Sequence, residues 1–155
     1  MKKLMSFAFP MLLLTVCCTR QEPPAEAAGE ALSEEINQDP QAILEHHVNA
    51  FGENDLDAVM EDYTDGSVVI TPDSTYRGLE QIRGFFEAVI PSFPTEGSVL
   101  ELVNTTVEGN LVYIFWHGTT PTLDIPMGTD TFIMEDGKIS IQTFAAMMNP
   151  VEDPS

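Results

Sequence analysis

The sequence places two ionisable side chains, Asp130 and His47, among apolar neighbours, where they can do chemistry that a solvated group cannot. In the run Thr129 to Glu135, strand alternation sets Asp130, Phe132 and Met134 on one face and Thr131, Ile133 and Glu135 on the other. An acid on an inward face is desolvated, which favours its neutral form, and a neutral carboxyl donates a hydrogen bond to a ligand carbonyl. The position equally suits a strand-start Asp that caps a turn or accepts backbone N–H groups. At about 100° per residue, His47 falls between Ile43 and Phe51 on the apolar stripe of a helix, so its imidazole points inward. There it is a donor, a base, or a core histidine bonded to a backbone carbonyl. His46 falls at the edge of the stripe and reads as a surface residue.

Other side chains qualify for the same site. Trp116 and His117 point to opposite faces of one strand, so at most one of them lines a pocket. Gln142 shares a face with Phe144 and Ala146, whereas Ile139, Ile141, Thr143 and Ala145 form the other; the pattern leaves open which face is inward. Met147 and Met148 suit a rim or an adaptable core. No metal motif built from Cys and His, no calcium loop, no Ser–His–Asp order, no P-loop and no dinucleotide-binding glycine pattern is present, so neither a metal nor a cofactor is expected.

The elements that must position these residues are legible. Ile43, Leu44, His47, Val48 and Phe51 recur at helical spacing behind Asp39-Pro40, a cap followed by a first-turn proline. Leu56, Val59, Met60 and Tyr63 suggest a short second helix after Asn54-Asp55. Leu79, Ile82, Phe85, Phe86, Val89 and Ile90 make one stripe of a third helix that Pro91 ends. Ser67 to Thr71 reads as a strand closed by the turn Pro72-Asp73-Ser74. Four longer strands follow: Ser98 to Glu108, Leu111 to Thr119, Thr129 to Glu135 and Lys138 to Met147. Gly109-Asn110 and Asp136-Gly137 are two-residue hairpin signals, and Thr120 to Gly128 reads as a Pro-bounded loop. Helices first and a strand meander afterwards give an α+β domain with helices on one face of an antiparallel sheet. Both faces of Leu111 to Thr119 are largely apolar, which fits helices on one side and a second subunit on the other.

The chain begins with an export pattern. Lys2 and Lys3 precede the apolar run Leu4 to Val16, too short for the roughly 20 residues that span a bilayer, and Cys17 and Cys18 are the only cysteines. The segment resembles a bacterial lipoprotein signal, which implies lipidation at Cys18 or Cys17 and makes residues 1–18 the signal. An ordinary secretory peptide is the alternative. Residues 19–38, rich in Pro, Ala, Gly and Glu, cannot bury enough surface to offset ordering and read as a disordered acidic tether. The folded unit is 39–150, with a disordered tail at 151–155. All 25 acidic residues follow the signal, and the formal net charge is −19, which excludes nucleic acid as a partner and limits membrane contact to the lipid anchor. The expected location is the bacterial cell envelope, facing the periplasm or exterior. The residue after either cysteine is not Asp, which by resemblance to the enterobacterial sorting rule favours the outer membrane.

From Gln41 to Met147 the chain resembles the nuclear transport factor 2-like superfamily, in its SnoaL-like and ketosteroid-isomerase-like branch. The carriers are His47 to Phe51 with Asn54-Asp55-Leu56-Asp57, Asp62-Tyr63-Thr64-Asp65 leading into Ser67 to Pro72, Tyr76-Arg77-Gly78 opening the third helix, Gly128 to Phe132, and Asp136 to Ile139. The resemblance implies a curved antiparallel sheet wrapped around three helices as a cone-shaped α+β barrel, with an apolar pocket and a homodimer. It makes Asp130 and His47 the candidate catalytic residues, Asp130 similar in position to the protonated Asp of ketosteroid isomerase and His47 standing where that enzyme has its Tyr. Tyr63, Thr71, Trp116, Gln142 and Phe144 become the candidate pocket residues. Where the isomerase has a carboxylate base before a Pro, this chain has Thr71 before Pro72, which counts against steroid-type enolisation and leaves His47 or His117 as alternative bases.

Three functions fit: a domain binding a small apolar or carbonyl-bearing molecule; an enzyme of isomerase, cyclase or hydratase type using Asp130 and His47; and a non-catalytic protein-interaction module. The anchor is directly testable. Cells expressing the chain with Cys17→Ser and Cys18→Ser together should incorporate no labelled palmitate, while one of the two single replacements keeps the label. Labelling of the double variant would refute the lipoprotein reading.

Overall fold

A computed structural model describes residues 39–151; the expected signal at 1–18, the expected tether at 19–38 and residues 152–155 lie outside the described residues. Helix α1, Pro40–Gly52, starts where Asp39 accepts a hydrogen bond from the Gln41 N–H at 3.1 Å and Pro40 takes the first turn. It buries Ile43, Leu44, His47 and Ala50. Asp55 caps α2, Leu56–Glu61, through the Ala58 N–H at 3.0 Å. Helix α3, Gly78–Val89, buries Ile82, Phe85 and Phe86, and the chain then makes one 3₁₀ turn, Ile90–Ser92, that contains Pro91. Proline suits the start of such a turn, so the helix tightens here before the chain leaves it.

Six strands form one sheet: β1 Val68–Ile70, β2 Thr75–Arg77, β3 Val99–Glu108, β4 Leu111–Thr119, β5 Leu123–Glu135 and β6 Lys138–Pro150. The order is β2-β1-β6-β5-β4-β3, antiparallel throughout except for the parallel pair β1 and β6. The edges β2 and β3 do not pair, so the cone is an open curved sheet and not a closed barrel. Its inner face carries Val112, Ile114 and Trp116 from β4 and Asp130, Phe132 and Met134 from β5, packed against the helices. Asp136 at φ 51° and Gly137 at φ 74° make the β5–β6 turn with two positive φ values, the type I′ geometry that matches strand twist.

Three boundaries differ from the sequence expectation. Tyr76 and Arg77, expected to open the third helix, belong to β2, which pairs Thr75 with Ile70 and Arg77 with Val68. Such a short strand carries too little alternation to announce itself. The expected loop Thr120 to Gly128 is mostly strand, because β5 begins at Leu123. Pro126 sits where the pairing of β5 with β6 jumps from Asp124 to Met127, an irregularity that tolerates a residue with no N–H to donate. For the same reason β6 runs on past Met147 to Pro150.

Gly128 pairs with Trp116 across β4 and β5, and the indole covers the glycine so closely that a Cβ there would run into its ring carbons. Gly128→Ala should therefore cost about 1–3 kcal/mol by overpacking, read by urea denaturation. An unchanged midpoint would mean that the indole does not occupy that space.

Candidate functional site

Asp130 lies in the middle of the sheet, with Ile114 of β4 and Phe144 of β6 as cross-strand neighbours. It is 6% exposed, and both of its oxygens accept hydrogen bonds. Trp116 Nε1 donates to Oδ2 at 2.9 Å and Gln142 Nε2 donates to Oδ1 at 2.8 Å. The Gln142 Oε1 in turn accepts from the Tyr63 hydroxyl. Burial pushes the Asp130 pKa up, against the opposing pull of the Gln142 and Trp116 bonds and of nearby His47. Burial, with the carboxylates of Asp130 and Asp62, also holds the Tyr63 hydroxyl protonated well above its ordinary range.

The inward turn of Gln142 depends on a bulge. Pairing of β5 with β6 runs Ile133 to Ile141 and then Met134 to Ile139, leaving Ser140 as the extra residue, its hydroxyl bonded to the Ile133 carbonyl at 3.0 Å. The bulge reverses the parity of β6, so Ile139 and Gln142 are both buried on the inner face. Simple alternation from either residue would have expelled the other, which is why the sequence pattern could not choose a face.

His47 is buried, as helical geometry indicates, but its partner is a carboxylate and not a backbone carbonyl: Nδ1 lies 3.0 Å from Asp62 Oδ2. Tyr63, Phe86 and Phe132 surround the ring edge-on at 5.6–5.8 Å. His46 is half-exposed at the surface, yet its Nδ1 reaches the other oxygen of the same carboxylate at 2.7 Å. Asp62, the residue that ends α2, was not singled out as a site residue from the sequence. The available signal was its place beside an inward-facing tyrosine after a short helix, but its pairing with His47 across the α1–α2 turn is a tertiary contact.

A cavity of about 110 Å³ opens between the helices and the inner sheet. Its wall is largely aromatic and aliphatic, including Phe51, Phe86, Phe93, Ile114 and Phe132, and its polar groups are His47, Asp130, Gln142 and the exposed Glu101. Of the expected pocket residues, Trp116, Gln142 and Phe144 line it, with Trp116 stacked on Phe144 at 6.5 Å. Tyr63 is buried behind Gln142. Thr71 is not a lining residue: its hydroxyl donates to Asp73 at 3.0 Å and accepts from the Ser74 N–H at 3.1 Å within the β1–β2 turn, which draws it away from the cavity. His117 faces outward and bonds Glu101 at 3.0 Å. Met147 and Met148 are exposed. Among the described residues no three imidazole, thiol or carboxylate groups are arranged to hold a metal ion.

The family model of the SnoaL-like domain matches residues 44–141. The chain belongs to the SnoaL-like domain family. No curated protein matches it. Among solved structures, this SnoaL-like domain is similar to an NTF2-like protein from Burkholderia xenovorans at 19% identity and a TM-score of 0.60, covering 78% of this chain and 90% of that one. It is also similar to a putative polyketide cyclase from Sinorhizobium meliloti at 21% identity and a TM-score of 0.56, over 66% and 93% of the two chains. A third is the epoxide hydrolase/cyclase-like enzyme SalBIII of pyran ring formation in salinomycin, at 18% identity and a TM-score of 0.60, over 71% and 92%. At these identities the likeness shows the fold, a sheet and helix cone with its cavity, and the chemistry has to be argued from the residues that line it.

The buried Asp130 of this SnoaL-like domain makes its stability depend on pH. The folded state keeps the Asp130 proton at pH values where the unfolded chain has lost it, so this group lowers stability as pH rises from about 4 to its raised pKa and has no further effect above it. Asp130→Asn cannot ionise. Its stability relative to the parent chain should increase across that window in urea denaturation at stepped pH. A difference independent of pH would show that burial does not raise the Asp130 pKa.

Proposed function

We propose that this SnoaL-like domain binds a small, largely apolar molecule in its cone and receives a carbonyl oxygen of that molecule at the Asp130 carboxyl. The observation that carries the reading is the pairing of an apolar wall with one buried carboxyl at the middle of the sheet. A cavity of this size favours a molecule of about one ring, since an engineered apolar cavity on the order of 150 Å³ takes benzene. We further propose that the domain works at the bacterial cell envelope, tethered through lipid on Cys18 or Cys17, as a homodimer. Exposed apolar residues on β3, among them Val99, Leu102 and Val103, together with the half-buried outer face of β4, favour a second subunit.

A second reading is catalytic. Asp130 as acid with His47 as base or donor would suit isomerisation, cyclisation or hydration, and two of the similar structures carry cyclase names. The favouring observation is that a carboxyl and an imidazole of different environment line one cavity.

Native mass spectrometry of the purified chain tests assembly and retained ligand together, and titration with acetophenone tests the carbonyl contact. A dimer releasing a small apolar mass on denaturation is expected, with Asp130→Ala weakening acetophenone binding about ten-fold. An empty chain that also ignores acetophenone would refute the binding reading.

A further inference from the structure

Asp62 is 6% exposed, and its backbone is held from two sides: its N–H bonds the Val59 carbonyl at 3.3 Å and its carbonyl accepts the Ile139 N–H at 2.8 Å. The carboxyl is thereby fixed between α2 and β6, and its two oxygens meet the Nδ1 atoms of His46 and His47. An ionised carboxylate only accepts hydrogen bonds, so each Nδ1 carries the proton. A neutral imidazole protonated at Nδ1 has its lone pair at Nε2.

For His47 that lone pair belongs to the cavity. The residue lines it, and Nε2 makes no hydrogen bond to another described residue. Turning the ring over would break the bond to Asp62 and disturb the edge-on contacts with Tyr63, Phe86 and Phe132. Nε2 stays open to the cavity, where a ligand hydroxyl can donate to it.

We propose that Asp62 is a positioning residue that holds His47 with Nε2 as the hydrogen-bond acceptor of the cavity, so that the site takes molecules carrying a hydroxyl as well as a carbonyl. The ligand class rests on the binding function proposed above; the role of Asp62 does not. The two polar anchors are then complementary. The Asp130 oxygens already receive N–H donors from Trp116 and Gln142, so in its neutral form the carboxyl offers its own proton to the ligand carbonyl. His47 accepts from the ligand hydroxyl. Adjacent residues set both anchors: Asp62 orients His47, and Tyr63 orients Gln142 and through it Asp130. If the hydroxyl proton transfers, the O–H bond breaks with its electron pair left on the ligand oxygen as an alkoxide, an Nε2–H bond forms, and the positive ring lies within a hydrogen bond of the Asp62 carboxylate.

Long-range ¹H–¹⁵N spectra of the labelled chain, with His47→Gln for assignment, read the tautomer directly. Neutral His47 is expected to carry its proton on Nδ1, and Asp62→Asn is expected to lose that preference. In titrations, α-hydroxyacetophenone should bind about ten-fold more tightly than acetophenone, and the advantage should vanish in Asp62→Asn. A proton on Nε2 in the parent chain overturns the inference whatever binds, and needs no variant to fold. The Nδ1–H tautomer with equal affinity for the two ketones overturns the ligand class. The same tautomer with neither ketone bound, in a chain that also retains no ligand, supports the role of Asp62 and instead refutes the binding function on which the class rests.

Discussion

A carboxyl group in the apolar interior of a sheet needs donors, and the way Asp130 obtains two of them organises much of the domain. The Trp116 indole must lie across the neighbouring strand to reach Oδ2, which requires that its cross-strand partner be Gly128. Gln142 must face inward to reach Oδ1, which requires the bulge at Ser140. Tyr63 must then satisfy the far end of the Gln142 amide, which ties the end of the helical layer to the middle of the sheet. Each feature would be a local cost if taken alone: a glycine in a strand, an unpaired residue in a ladder, two buried polar side chains. Together they form a closed set of partners.

The second polar group follows a parallel logic from the other layer. His47 is carried by α1 and oriented by a carboxylate at the end of α2, so the helical layer supplies an imidazole and the sheet supplies a carboxyl to one cavity. Acid and imidazole thus sit in environments of different kind, one bonded to neutral N–H donors and one to a carboxylate. That asymmetry separates their roles. The named cyclase and hydrolase relatives share the cone that makes such a meeting possible, but identities of 18–21% carry no residue roles across.

Curvature does the remaining work. Register irregularities at Val103, around Pro126 and at Ser140 favour bending of the long strands, and the sheet curves over the helices without pairing its edges. The open edge is β3, exposed along its whole length, and Leu100 and Leu102 of that strand line the cavity. Access to the cavity and the exposed apolar strand are therefore one region of the molecule.

Much of this was legible in residue order alone. Local sequence located the three helices, the cap at Asp39, the start of the second helix at Asn54-Asp55, the inward placement of His47 and the shared face of Asp130, Phe132 and Met134, because each depends on spacing or residue type within one element. Hairpin turns at Gly109-Asn110 and Asp136-Gly137 were equally local. What depended on a neighbour in space was not legible. The strand Thr75–Arg77 exists by pairing with β1, the strand around Pro126 by absorbing a break in register, and the inward face of β6 by the bulge at Ser140. The removal of Thr71 from the cavity and the joining of His46 and His47 through Asp62 are likewise contacts between distant positions. Sequence by itself determined which side chains are available and which way each element turns them; only the tertiary structure decided which of them meet, because register and side-chain hydrogen bonds are set between elements and leave no periodicity within them.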